Sequence, residues 1–307
     1  MIPNFFIVGA PKCGTTAWYE YLRQHPDIFF PDEKEPHYFA TDLPGFRTAK
    51  SEADFLALYA NARGPVLGDA SVFHLYSSTA AERIAAFNPE ARILIFLREQ
   101  ETFLPSLHQQ FLYTLDEDVE DFETAWRLSG KRAGSEIPAT CREPRMLDYA
   151  AIGRFDEQVE RYLAAFPSDQ IRIVRFEQWT ANPRQTYCDI LQFLGVSDDG
   201  RTSFPRVNEA RFNRWAMLAV LSHRPPGWLR RVIDLMHRSS GRETLGIGAR
   251  IIAMNRQAGY RSSLDSALKQ EIIDYYADSN RQLIGHIAPL IEEKHSMDAL
   301  SSAPRQA

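Results

Sequence analysis

Short apolar runs alternate with longer stretches that carry apolar residues at helical spacing through the first two hundred positions of this 307-residue chain. Asn4-Phe5-Phe6-Ile7-Val8-Gly9 reads as a buried strand. The run from Ala17 to His25, with Trp18, Tyr21 and Leu22 on one side, reads as the amphipathic helix that follows. Pro26 stops that helix, Ile28–Phe30 is a short extended piece, and Pro31 to Phe39 is a loop bracketed by Pro31 and Pro36. The pattern then predicts a helix over 51–61, a strand over 66–71, a helix over 78–87, a strand over 92–97 and a helix over 101–115. A helix over 152–166, a strand over 171–175 and a helix over 183–194, ended by Gly195, complete the series.

Such alternation specifies an α/β fold, a parallel sheet flanked by helices on both faces. Ligands in these folds collect at the carboxyl ends of strands, where Gly9, Asp69, Arg98 and Glu177 all fall. Stretches 130–145 and 196–211 read as mobile loops. Past Arg214 the pattern is a helical C-terminal extension, with segments near 214–222, 227–237, 247–257 and 264–287. One domain over 1–307 is expected, comprising an α/β core over 1–197, a loop and helical part over 198–295 and a disordered tail over 296–307.

With 44% apolar and 24% charged residues the chain has an ordinary globular composition. No apolar run reaches the roughly eighteen residues of a membrane span, and the N-terminus lacks the basic region and cleavage site of a signal peptide. A cytoplasmic, bacterial protein is expected, with no nucleic-acid partner. The three cysteines, Cys13, Cys141 and Cys188, suit neither a disulfide framework nor a zinc site. A net charge of −5 conceals an asymmetry: residues 201–261 hold twelve Arg, no Lys and three acids, a local balance of +9. That concentration implies an anionic ligand, substrate or surface. In 214–238, Trp215, Leu218, Trp228, Leu229 and Ile233 interleave with Arg214, Arg224, Arg230, Arg231 and Arg238. The combination fits a helical lid over an anionic ligand, or a peripheral membrane contact.

The candidate chemistry begins between the first strand and first helix, where Gly9-Ala10-Pro11-Lys12-Cys13-Gly14-Thr15-Thr16 must turn sharply. Free N–H groups and the dipole at the helix start favour an anion there. The two glycines keep the spacing of a nucleotide loop, but Thr15-Thr16 replaces its Lys-Ser/Thr pair and the lysine lies inside the turn at Lys12. Lys12 can meet a bridging oxygen of a transferred group, and Thr15 and Thr16 can meet a terminal phosphate. Cys13 fits the turn as a small side chain, with no base to make it a nucleophile. Arg98 at a strand end and Ser106 in the next helix suit a second phosphate; an arginine paired with Glu99 or Glu101 is the structural alternative. In Asp32-Glu33-Lys34-Glu35 the candidate base is Glu35, with His37 competing.

These blocks together resemble the sulfotransferases that use 3′-phosphoadenosine 5′-phosphosulfate. PKCGTT at Pro11–Thr16, KEPHYF at Lys34–Phe39, Leu97-Arg98 with Ser106, and FEQWTANP running to Val196 carry the resemblance, the second pointing to the heparan sulfate and bacterial carbohydrate branch. It implies donor binding by Lys12, Cys13, Gly14, Thr15 and Thr16, and a 3′-phosphate held by Arg98 and Ser106. It also implies a loop closing at Tyr260 and Arg261, catalysis by Lys12 and Glu35, and acceptor contacts from Glu35, His37 and Ser71. No metal is implied, and the acceptor is a hydroxyl or amine of a glycan, glycolipid or small molecule. Two departures stand out: Glu99-Gln100 replaces the family's Asn-Pro, and Ala70 stands where the heparan enzymes have lysine. The alternatives are a magnesium-dependent small-molecule kinase, in which Asp69 would serve the metal, and a nucleotide-binding regulatory module.

Overall fold

Phe5, Phe6, Ile7 and Val8 are all inaccessible to solvent, because the strand they form, β1 (Phe5–Gly9), is covered on both faces. In the computed structural model of the protein, residues 1–205, 211–213, 256–258 and 264–288 are described. The central sheet has five strands, β1 with β2 (Ile28–Phe29), β3 (Val66–Asp69), β4 (Arg92–Leu97) and β5 (Ile171–Arg175). They are parallel and ordered β2-β3-β1-β4-β5. The chain leaves β1 toward one edge and returns past it to β4, so the end of β1 beside β4 is the switch point of the sheet.

Side chains two apart on β1 share a face and neighbours do not. Phe5 meets Phe30 (5.9 Å), which also meets Tyr19 of helix α1 (Thr15–Leu22). Phe6 meets Phe39 (5.8 Å) on the other face, and Phe39 meets Phe87 at the end of the helix Ala80–Phe87. On the first face Trp18 stacks on Phe96 of β4 and on Tyr187. Each ring so buried contributes roughly 1.5–3 kcal/mol, which fixes the helices bearing the functional loops against the sheet.

Further helices among the described residues include α2 (Glu52–Ala57), α3 (Ala80–Phe87), α4 (Gln100–Thr114), α5 (Phe122–Arg127), α6 (Tyr149–Ile152), α7 (Phe155–Ala165), α8 (Phe176–Ala181), α9 (Pro183–Leu194) and α10 (Ser266–Tyr275). Two compact units emerge. One comprises Met1–Phe103, Ile152–Val207 and Lys269–Ala307 and contains the whole sheet; the other comprises Leu104–Ala151 and Asn208–Leu268. In the first, the C-terminal helical residues are clipped down by Gln100, whose amide exchanges hydrogen bonds with Asn280 (2.8 and 3.2 Å) and donates to Gly153 O. The departure at position 100 therefore has a structural use here.

Two expectations are corrected. Residues 130–145 are held rather than loose: Arg132 forks onto buried Glu117 at 2.7 and 2.8 Å, Arg142 binds Asp116, and short 3-10 turns form at Gly134–Glu136 and Pro144–Leu147. A helix running to 257 is replaced at its end by strand β7 (Arg256–Ala258), antiparallel to β6 (Arg211–Asn213), which begins at the last residue of the expected loop; three paired residues are too few to show a period. The helices expected near 214–222 and 227–237, the membrane-or-lid segment 214–238, Tyr260 and Arg261, and the tail lie outside the described residues. Among the described residues no helix is long and apolar enough to cross a membrane.

Candidate active site

The loop after β1 is built by left-handed backbone. Lys12 has φ 61° and Gly14, the N-cap of α1, has φ 92°. A Cβ at Gly14 would also stand 2.3 Å from the Trp179 ring, so glycine is required twice over. No side chain caps α1, which leaves the positive end of the helix to the loop. Hydrogen bonds from Ala10 N to Phe96 O and from Leu75 N to Val8 O, both 2.7 Å, tie the loop's root to its neighbours. Cys13 is fully buried and burial pushes its thiol pKa well up, only partly opposed by the Arg98 charge; a neutral thiol has no nucleophilic role.

Arg98, at the end of β4, lies against this loop. Its guanidinium packs over Phe176 (4.4 Å), Nε donates to Thr102 Oγ1 (2.9 Å) and Nη1 donates to Lys12 O (3.3 Å). Trp179 Nε1 donates to Cys13 O (3.2 Å), so one face of α8 braces both the loop and the arginine. Neither Phe176 nor Trp179 was assigned a role by sequence reasoning; the aromatic pair inside FEQWTANP was the available signal. Glu177 accepts the Glu99 N–H at 3.4 Å. Ser106 is buried on α4 and belongs to the second unit.

The second element of the site is the loop before Phe39. Glu35 and His37 are both left-handed, φ 62° and 49°, conformations that cost of order 1 kcal/mol or more at each non-glycine residue. Lys34 joins this loop to the first: its ammonium donates to Thr16 Oγ1 (2.8 Å) and pairs with Glu35 (2.9 Å). Lys34 is the site residue that reading the charged run as solvated misses. Burial opposes ionisation of Glu35, but His37, 3.8 Å away, and Lys34 outweigh it and hold its carboxyl at about 2. About a third of the Glu35 side chain, 35%, stays exposed.

His37 and Ser71, expected to touch an acceptor, are both interior. His37 is 2% exposed and its ring stacks on Phe73; Ser71 is 0% exposed, accepting from His37 N (3.0 Å) and donating to Asp69 Oδ2 (3.2 Å). Packing on the apolar Phe73 and Phe46 draws the imidazole inward, while the Glu35 carboxylate stays partly exposed. Asp69 is likewise 0% exposed; burial raises its carboxyl to about 7 against the two hydrogen bonds from Ser71.

The sulfotransferase domain family matches residues 3–214. Mouse carbohydrate sulfotransferase 15 is 25% identical over 249 aligned residues, 64% of this chain and 44% of that protein. The chain thus spans less than half the length of that relative. A crystal structure of a sulfotransferase from Alicyclobacillus acidocaldarius superposes with a TM-score of 0.59 at 28% identity, over 80% of this chain and 98% of that one. A mouse sulfotransferase complexed with PAP shares the fold alone, with a TM-score of 0.50 and 11% identity over 96% of this chain and 89% of that one.

Proposed function

The chain belongs to the sulfotransferase domain family, and from that premise we propose that it transfers the sulfuryl group of 3′-phosphoadenosine 5′-phosphosulfate to a hydroxyl or amine of a glycan or glycolipid acceptor. One observation carries the reading. Lys34 bonds at once to Thr16 on the turn and to Glu35, so the turn and the carboxylate are held side by side. The donor reading is supported by the turn itself and by PAP in the mouse structure that shares the fold. The glycan reading is supported by the carbohydrate sulfotransferase relative. The family does not favour the kinase alternative.

Within this reading a bond forms from the acceptor oxygen or nitrogen to sulfur as the bond from sulfur to the bridging phosphate oxygen breaks. Lys12 and the start of α1 meet the charge that grows on that oxygen. Glu35 takes the acceptor's proton. Because its carboxylate is weakly basic, transfer comes late, once bond formation has made the acceptor atom acidic. Glu35 is preferred to His37 as base because a base must touch the acceptor and the imidazole is enclosed. Lys34 keeps Glu35 ionised and Arg98 holds the 3′-phosphate.

Calorimetry tests the donor assignment. Bisphosphoadenosine should bind more tightly than AMP by about 10-fold or more, since a ligand lacking the 3′-phosphate leaves a charged partner unmatched. Equal affinities would remove the role of Arg98.

A further inference from the structure

We propose that Ser71, with Asp69 behind it, is a positioning residue that holds Glu35 in its reactive place. The inference rests on the reading of Glu35 as base. Residues 35–37 contain two left-handed, non-glycine conformations separated by a proline, and such a segment returns to extended backbone unless something holds it. Lys34 grips the segment from the solvent side, and the carbonyl of Pro36 accepts from Thr48 N and Ala49 N. From the interior, the bond from His37 N to Ser71 Oγ reaches the segment itself. That N–H is buried, and without the serine oxygen it would need another acceptor.

The direction of the hydroxyl matters. A serine oxygen accepts well from His37 only if its own hydrogen points elsewhere, and Asp69 takes that hydrogen at Oδ2 while Oδ1 takes the Ser71 N–H at 3.1 Å. Both residues are 0% exposed, so water supplies neither partner. Asp69 closes β3 on the central sheet and its position is set by the strand pairing of Phe6 with Asp69. The strained loop is thereby referenced to the rigid strand beside the donor turn, an arrangement that fixes the carboxylate relative to the cradle. Ser71 touches no substrate in this account.

A double-mutant cycle tests it. Ser71→Ala should lower kcat by about 10- to 100-fold with acceptor KM and bisphosphoadenosine affinity changed by less than about 2-fold, because the cradle is not touched. In the Glu35→Gln background the same substitution should change kcat by less than about 2-fold, since there is no base left to misplace. Asp69→Asn keeps an acceptor oxygen near the hydroxyl and should show a smaller loss, and it serves if Ser71→Ala folds poorly. Equal losses from Ser71→Ala in both backgrounds, or none in the parent, would overturn the positioning role while leaving Glu35 as base. Near-normal turnover of Glu35→Gln alone would overturn the base assignment and this inference together.

Discussion

Glu35 and Asp69 are carboxylates of one neighbourhood pushed in opposite directions, to about 2 and about 7. For Glu35 the consequence is kinetic. It is ionised well below neutral pH, so a pH-rate profile should show no acid limb from this group near neutrality, and a limb there that arises from Asp69 should vanish in Asp69→Asn. For Asp69 the consequence is thermodynamic. Its folded pKa lies above the ordinary carboxylate value near 4, so between about 4 and 7 the folded chain binds more protons than the unfolded one and stability falls as pH rises. Asp69→Asn removes that burden. Its melting temperature relative to the parent should climb from about pH 5 to about pH 8, measured by thermal denaturation; a difference independent of pH would contradict the burial argument. The groups facing Asp69 include Ser71, the Glu35 carboxylate, whose charge also raises its pKa, and His74, whose Nδ1 lies at 3.6 Å with burial keeping its ring neutral.

At the scale of elements, the turn after β1 depends on α8. Gly14→Ala meets both a left-handed φ and the Trp179 ring, and should cost roughly 1–3 kcal/mol in denaturant unfolding with a matching loss of bisphosphoadenosine affinity. The docking of the C-terminal helical residues includes a reciprocal amide pair, beside buried Ile272 and Tyr276. Gln100→Leu strands the Asn280 amide and should cost about 1–3 kcal/mol, and adding Asn280→Leu should recover part of it. The sheet was legible because β1 and β4 are continuous apolar runs with no competing period. Helices α5, α6 and α8 were not, since four to six residues span too few turns to display one. The turn's residues could be read off locally; Trp179 against Gly14 could not, because that contact joins positions far apart in the chain. Lys34 was hidden differently. A run of four charges looks solvated until the fold brings Thr16 to it.

For the whole molecule, the acidic total with an arginine-rich segment over 201–261 predicts an acceptor affinity governed by charge. Binding of a sulfated oligosaccharide should weaken several-fold between about 0.05 and 0.5 M salt while that of a neutral one barely changes; equal salt dependence would remove the electrostatic role. Sulfuryl transfer assembled from the turn after β1 and the Glu35 loop is tested by following label from donor to acceptor. Parent protein with donor labelled in the sulfuryl group, a glycan acceptor and EDTA should place label on the acceptor. Lys12→Ala and Glu35→Gln should each reduce the transfer rate by about 10²- to 10³-fold while bisphosphoadenosine still binds. Transfer only in the presence of magnesium, phosphate rather than sulfate on the acceptor, or full activity in both variants would contradict the account.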